Sequence, residues 1–270
     1  MTNMKSHVRM AQVTHRLREP ALCSAIRALQ LPPGSRGLDA GCGIGLQAML
    51  LAEAVGAEGG VTGMDLSADF VSYAGEFIGK TQLSERISFE VGDVRSLPFD
   101  DDAFDWAWSA DMVGYAPLEP IPLIREMSRV VRPGGRVAIL AWTSEKLLPG
   151  YPVLEARLGA TPAGIAPFVK GSRPESHFTR ALGWFRAAGL EECAAHTFAG
   201  DAHAPLDEDI RSALTELFAM RWPGLEKELE PEDHAEFQRL CKPESPDFIL
   251  NQPDYYAFFT YSMFEGKVAR

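Results

Sequence analysis

Eight consecutive residues, Leu38-Asp39-Ala40-Gly41-Cys42-Gly43-Ile44-Gly45, carry the densest chemistry in the chain. Glycines at alternate positions let the backbone turn sharply and let a ligand approach where a Cβ would collide. A helix starting behind them offers free backbone N–H groups. A dinucleotide fold favours G-x-G-x-x-G, spaced for a pyrophosphate. Here the third glycine comes one residue early, and Asp39 stands two residues before the first. A carboxylate at the mouth of such a turn complements a cationic ligand better than a diphosphate. Asp65 follows 26 residues after Asp39, where a carboxylate can accept from both hydroxyls of a ribose. Asp93, in Val91-Gly92-Asp93-Val94, could accept from an adenine amino group. The expectation is that these three carboxylates, at three successive strand ends, converge on one ligand.

These residues need elements to position them. Residues 37–40 read as a strand leading into the glycines, and Leu46, Met49, Leu50 and Ala54 mark one face of a helix ending near Gly56. The pattern continues with a strand at 61–65, a helix at 68–78, a strand at 87–91 and a fourth strand at 104–108, with Ser109 just past its end. Pro122 suits a first helical position; Leu123, Met127, Val130 and Val131 follow at helical spacing until Pro133-Gly134-Gly135 stops the helix, and 137–142 is the fifth strand. Strands separated by helices imply an α/β fold: a doubly wound, mostly parallel sheet with right-handed crossovers. Ahead of it, Met10, Val13 and Leu17, then Leu22, Ile26 and Leu29, predict two short helices separated at Pro20.

The remainder is less regular. Residues 148–172 are rich in proline and glycine and read as loop with one short helix near Leu154. A helix at 177–188, a strand at 190–198, a helix capped by Asp207 with Ile210, Leu214, Leu217 and Phe218 on one face, a helix at 231–240 and a buried strand at 255–264 complete the reading. The chain is taken as one domain over 1–270, with N-terminal helices at 1–30, a core at 36–142 and a helical insertion at 203–252 serving as a lid or a dimer contact. The acceptor pocket is expected under such a lid and to be substantially apolar, because the insertion must bury its apolar face.

Composition narrows the function classes. Lys plus Arg total 26 against 37 for Asp plus Glu, a net charge of −11, and such a chain repels a phosphate backbone, so no nucleic-acid partner is expected. No run of about 20 apolar residues is present, so no membrane span is expected. The N-terminal residues mix charges with single apolar side chains and do not read as a signal peptide. Cys23, Cys42, Cys193 and Cys241 form no C-x-x-C pair, which disfavours a zinc ribbon or disulfide framework and suits reduced thiols in a cytoplasmic protein. None of the six tyrosines has lysine four residues later, so the Tyr-x-x-x-Lys pair of short-chain oxidoreductases is missing.

Four blocks in order carry a family resemblance: 38–45; Gly63-Met64-Asp65-Leu66-Ser67; Gly92-Asp93 with Leu97-Pro98-Phe99 and Phe104-Asp105; and Val131-Arg132-Pro133-Gly134-Gly135-Arg136. Over residues 36–142 the chain resembles the class I S-adenosylmethionine-dependent methyltransferases, in particular the small-molecule branch that includes ubiquinone and menaquinone methyltransferases. The resemblance implies a seven-stranded sheet and S-adenosyl-L-methionine as cofactor. It places the Gly41-Cys42-Gly43 turn at the methionine part, Asp39 at its ammonium directly or through water, Asp65 at the ribose and Leu66 on an adenine face. Asp93 would hold the adenine amino group, the backbone N–H of Val94 a ring nitrogen, and Ser109 would line the sulfonium end.

The same residues have ordinary structural uses: the glycines as a tight turn, Asp65 and Asp93 as helix caps, Cys42 as a small residue in the turn, Trp106 and Trp108 as sheet packing, and Asp100-Asp101-Asp102 as a solvated turn. After the fourth strand, methyltransferases acting on nucleobase or glutamine amino groups carry an Asn-Pro-Pro-Tyr-like tetrapeptide. Here the sequence is Ser109-Ala110-Asp111-Met112-Val113-Gly114-Tyr115, so that reading is disfavoured; the resemblance implies a small-molecule acceptor, with O-, N- and C-methylation left open. Transfer from a sulfonium needs proximity, and needs a base only where the acceptor loses a proton. Candidate bases are His177, Tyr115 and Asp111, followed by His196 and His203. Neither histidine nor carboxylate spacing suggests a metal. The alternative reading is a non-catalytic S-adenosylmethionine-binding regulatory or partner protein.

Overall fold

A long helix, α1 (Thr2–Ala28), precedes the alternating strands and helices in the computed structural model, which describes residues 2–114 and 119–269. Pro20 lies within α1 and is solvent-exposed, while Leu17, Ala21, Leu22, Ala25 and Ile26 are buried along one stripe. The two helices expected here are therefore one. Continuity of the apolar stripe outweighs the hydrogen bond that proline removes, and the exposed carbonyls on that side can turn to water.

The order continues with β1 (Arg36–Ala40), α2 (Leu46–Val55), β2 (Gly60–Asp65), α3 (Ala68–Ile78), β3 (Ile87–Val91), β4 (Phe104–Ala110), α4 (Pro120–Arg129) and β5 (Val131–Lys146). Then come α5 (Pro152–Gly159), α6 (Pro162–Ile165), α7 (Ala181–Ala188), β6 (Glu191–His203), α8 (Glu208–Arg221), α9 (Pro231–Cys241) and β7 (Tyr256–Lys267). The strands form a seven-stranded sheet in the order β3-β2-β1-β4-β5-β7-β6. β1 pairs in parallel with β2 and β4, β2 with β3, and β4 with β5. Bonds between Lys267 and Glu192, Thr197 and Ser262, and Ala204 and Tyr255 run in opposite senses along the chain, so β6 and β7 are antiparallel.

Several boundaries differ from the sequence reading: the helix read from 177 starts at Ala181, the strand read to 198 runs to His203, the last strand runs to Lys267, and two short helices rather than one lie within 148–172. Three further differences bear on the sheet beside the glycine turn. β4 runs to Ala110, which puts Ser109 inside the strand. α4 starts at Pro120 rather than Pro122. β5 begins at Val131, and Pro133-Gly134-Gly135, read as a helix stop, lies within it. The pairing with β4 shifts register between Phe104 and Trp106. Gly134 has φ +81°, and a Cβ on Gly135 would collide with the Asp105 carbonyl oxygen. These glycines build a bulge, and Gly134 N–H donates to Val268 while Val268 N–H donates to Gly135.

The chain divides into two compact units. The sheet unit comprises Leu22–Trp142, Arg173–Phe198 and Tyr261–Arg270. One side of its sheet buries Leu38, Met64, Ile124, Val137 and Ile139 with Phe185 of α7. The other side carries Trp106 and Trp108, whose indole N–H groups donate to Ser35 Oγ and Gln47 Oε1, each at 2.9 Å. A Cβ on Gly37 would fall inside the Trp106 ring, so only glycine lets that ring lie on β1. The helical unit comprises Met1–Ala21, Thr143–Ser172 and Ala199–Thr260. Asp207 caps α8 by accepting from Ile210 N–H at 2.7 Å, as expected. Arg221 ties this unit together by donating to Glu145 Oε1 and to the carbonyls of Ala163 and Gly164. On the apolar side of α8, Phe218 packs against Trp222 and Phe248 of the same unit.

Candidate active site

The glycine turn follows directly from β1. Gly41 and Cys42 both donate to the Met64 carbonyl, at 2.8 and 3.0 Å, and Gly45 N–H closes the turn on Cys42 O at 3.0 Å. Gly41, Gly43 and Gly45 take φ of +79°, +52° and +80°, left-handed values that an L side chain rarely adopts. α2 starts after Gly45 with no side chain capping it, which directs the first-turn N–H groups toward the turn. A Cβ on Gly41 would lie 2.7 Å from Met112 Sδ, whereas one on Gly43 would meet nothing within 4 Å. The turn is therefore closed by the chain at Gly41 and open at Gly43.

Two carboxylates meet beside this opening. Asp39 is 2% exposed, and among the described residues its Oδ2 has no hydrogen-bond partner. Burial, and after it the nearby Asp65 carboxylate, push the Asp39 carboxyl up to about 7. Asp65 Oδ2 accepts from Gly43 N–H and Oδ1 from Ser67 N–H, each at 2.9 Å. These bonds fix the carboxylate's direction while leaving a lone pair on each oxygen. Leu66, next in sequence, is 70% exposed. On the neighbouring strand Ser109 is 1% exposed, and its Oγ also lacks a partner among the described residues. Unpartnered buried oxygens are costly in a folded chain, and each calls for an explanation.

Asp93 departs from the expected convergence. Its carboxylate is engaged by Arg95, whose Nη2 lies 2.5 Å from Oδ2 and whose backbone N–H donates to Oδ1 at 2.9 Å. The Arg95 guanidinium and then that backbone bond hold the Asp93 carboxyl below the usual carboxylate range. The structure thus brings Asp39 and Asp65 together and sets Asp93 on a neighbouring cation. The Val94 side chain is buried in the core, which leaves only its backbone for ligand contact. Cys42 is buried, and burial followed by the Asp39 and Asp65 carboxylates pushes its thiol up, so it stays neutral and serves the turn.

The candidate bases are dispersed. Asp111 follows β4 directly at φ +52°, a strained value for a non-glycine residue. Its Oδ1 accepts from Trp142 N–H and its Oδ2 from the buried Tyr261 hydroxyl, each at 3.1 Å. His177 Nδ1 accepts from Thr179 N–H at 3.2 Å and caps a short 3-10 turn. His196 faces Glu265 at 3.4 Å, and His203 bonds the Ala204 carbonyl. Tyr115 lies outside the described residues. Sequence reasoning missed Met112, Trp142 and Tyr261. Tyr261 is 150 residues from Asp111 in the chain, and no local pattern marks it.

With this geometry in place, residues 38–135 match the methyltransferase domain family. A demethylmenaquinone methyltransferase of Bacillus cereus is 35% identical over 130 residues, covering 47% of this chain and 52% of that protein. A sterol 24-C-methyltransferase of Gibberella zeae is 32% identical over 196 residues, covering 68% of this chain and 48% of that protein. The chain therefore spans about half the length of these relatives. Among solved structures, the YcgJ protein of Bacillus subtilis superposes with a TM-score of 0.56 at 18% identity, over 93% of this chain and 99% of that one. The core resembles the class I S-adenosylmethionine-dependent methyltransferases, menaquinone methyltransferases among them, and the sheet has their fold.

Proposed function

We propose that this chain transfers a methyl group from S-adenosyl-L-methionine to a small apolar or aromatic molecule. The observation that carries the reading is Asp39: a buried carboxylate with an unpartnered oxygen, at the end of β1 beside an open glycine turn and an oriented second carboxylate. This donor-hungry arrangement fits an amino-acid ammonium on Asp39 and a ribose on Asp65, and the exposed Leu66 supplies an apolar face for the adenine. The cofactor, when bound, supplies an electrophilic methyl group on a sulfonium. The chain's own contribution is to orient and to exclude water. Gly43 leaves room for close approach, Asp39 neutralises the ammonium, and Asp65 fixes the ribose. Asp93 reaches the adenine by sharing its oxygens with Arg95, beside the Val94 N–H. Ser109 Oγ offers a polar contact at the end of β4.

The acceptor side is assigned to Asp111, whose carboxylate can take a proton from an acceptor that must lose one. Apolar acceptors are favoured because demethylmenaquinone and sterol methyltransferases are among the similar proteins. Calorimetry with S-adenosylmethionine, S-adenosylhomocysteine and NAD tests the cofactor. Binding of the first two without NAD is expected, and NAD binding alone would overturn the reading. Transfer of a labelled methyl group to a panel of quinols, phenols and isoprenoids then tests the activity.

A further inference from the structure

Asp39 owes its burial to identifiable neighbours. On β1 it pairs with Gly63 of β2 and with Trp108 of β4, and paired residues of adjacent strands present their side chains on the same face of the sheet. On the β2 side Gly63 has no side chain, and Phe89 and Cys42 fill the place: a Cβ there would lie 2.7 Å from the Phe89 ring and 3.0 Å from Cys42 Sγ. On the β4 side stands Trp108, which is fully buried. Its indole N–H can only donate, and the acceptor is Gln47 Oε1 at 2.9 Å. Gln47 lies in the first turn of α2, directly behind the glycine turn. Trp106 is held in the same manner by Ser35, but its ring lies over Gly37 at the start of β1, away from the carboxylate. The bond from Trp108 therefore fixes an aromatic wall beside Asp39 and anchors that wall to the helix that begins where the glycine turn ends.

We infer that Gln47 is a positioning residue for the Asp39 site: by holding the Trp108 ring beside the carboxylate it keeps water from Asp39 until a cationic ligand arrives. Water admitted beside a buried carboxylate solvates its ionised form, so loosening the ring should lower the pH at which Asp39 ionises. The titratable groups that bear on Asp39 are Asp65 at the end of β2, whose carboxylate adds to the effect of burial, and Cys42 of the turn, whose thiol stays neutral. Trp108 from β4 and Gln47 from α2 carry no charge. Changing Gln47 to an apolar residue therefore alters hydration and leaves the charges around Asp39 as they are. The consequence for the cofactor rests on the proposed function; the consequence for the ionisation of Asp39 does not.

The full ligand-free chain, labelled with carbon-13 at its aspartate carboxyls, is titrated with acid and base while the carboxyl resonances are followed. Asp39→Asn identifies the Asp39 resonance by its loss. The wild-type midpoint is expected at about 7. Gln47→Leu keeps the bulk of the side chain but accepts no hydrogen bond, and it should bring that midpoint down by about one pH unit or more. Trp108→Phe leaves no orphaned indole N–H and an unanchored ring, so it should lower the midpoint too, and it decides if Gln47→Leu misfolds. Calorimetry then follows S-adenosylmethionine. Between about pH 7 and 6 the wild type should lose about fivefold in affinity, and Gln47→Leu about twofold or less, as midpoints one pH unit apart require. A midpoint unmoved in the variants, with affinity weakened equally at every pH, overturns the inference and leaves Gln47 a purely structural partner of Trp108. A wild-type midpoint in the ordinary carboxylate range overturns the shielding itself. Failure of the wild type to bind S-adenosylmethionine at any pH overturns the proposed function instead, with the Asp39 midpoint still deciding the role of Gln47.

Discussion

Replacing Asp39 with asparagine should strengthen the ligand-free fold and weaken cofactor binding in the same molecule. The buried Asp39 carboxyl is raised from 3.8 to about 7, so between those values the folded state holds a proton that the unfolded state has lost. Stability therefore falls as pH rises from about 4 through 7, and above 7 the full penalty is present. At about 1.4 kcal/mol per pH unit, the interval from 3.8 to about 7 corresponds to about 4 kcal/mol. Asp39→Asn removes that titration. Unfolding by urea should show the variant more stable at pH 8, by up to about 4 kcal/mol, and the gap should close toward pH 4. A cation needs the ionised carboxylate, so wild-type affinity for S-adenosylmethionine should weaken about tenfold per pH unit below 7 and level off above it. Near pH 6, calorimetry in buffers of different ionisation enthalpy should register release of about one proton per ligand. At pH 8 the variant should bind about 10- to 150-fold more weakly, the worth of one charged hydrogen-bonding partner. An Asp39→Asn variant with wild-type stability at pH 8, or with wild-type affinity, would refute the assignment of Asp39 as a buried carboxylate held for a cationic ligand.

Asp65→Ala removes the acceptor of Gly43 and Ser67 N–H as well as the proposed ribose contact, and calorimetry should show an affinity loss of about 10- to 150-fold. Gly43→Ala and Gly41→Ala should part company. The first puts a methyl group into open space, so it should keep most of its stability apart from about 1–2 kcal/mol of left-handed strain and lose ligand binding; the second drives a Cβ to 2.7 Å from Met112 Sδ, so its melting temperature should fall further. Asp111→Asn should leave S-adenosylmethionine affinity within about threefold while lowering turnover of a proton-losing acceptor by about 10²- to 10⁴-fold; unchanged turnover would remove Asp111 from the chemistry. Among the described residues no cluster of three or more His, Cys, Asp and Glu side chains could hold a metal ion. Histidine and carboxylate spacing in the sequence likewise suggests no metal, so methyl transfer is expected to survive EDTA, and loss restored by magnesium would count against the mechanism.

The sheet was legible because each strand from β1 to β4 is short and closed by local punctuation; residues 87–91 and the helix at 68–78 matched to the residue. The misreadings share a cause. Pro20 and Pro133-Gly134-Gly135 are breakers by local rule, and each sits inside an element because tertiary context overrides propensity. An apolar stripe on both sides of Pro20 carries α1 through it, and pairing with β4 and Val268 turns the three-residue stop into a bulge. A single sequence displays the breaker but not the neighbour that overrides it.

The two sides of the site differ in the same way. The cofactor side is written in adjacent residues: Asp39, Gly41 and Gly43 lie within five positions, and Asp65 reaches Gly43 across one βα unit. Charge and glycine spacing alone therefore favour the cationic ligand proposed above. Even there, Arg95, two residues beyond Asp93, engages the third carboxylate, a contact that needs the turn geometry to be seen. On the proposed acceptor side, Asp111 acquires its orientation from Trp142 and Tyr261, donors supplied by β5 and β7. A carboxylate held at φ +52° by two distant donors cannot relax without disturbing either strand, and that fixity is what a proton acceptor at a transfer site requires. Tyr261→Phe isolates this contribution. It removes one of the two bonds without touching the carboxylate, so if fixity matters, turnover of a proton-losing acceptor should fall, by less than in Asp111→Asn, while S-adenosylmethionine affinity stays within about threefold. Unchanged turnover in a stably folded Tyr261→Phe chain would make the Tyr261 contact purely structural.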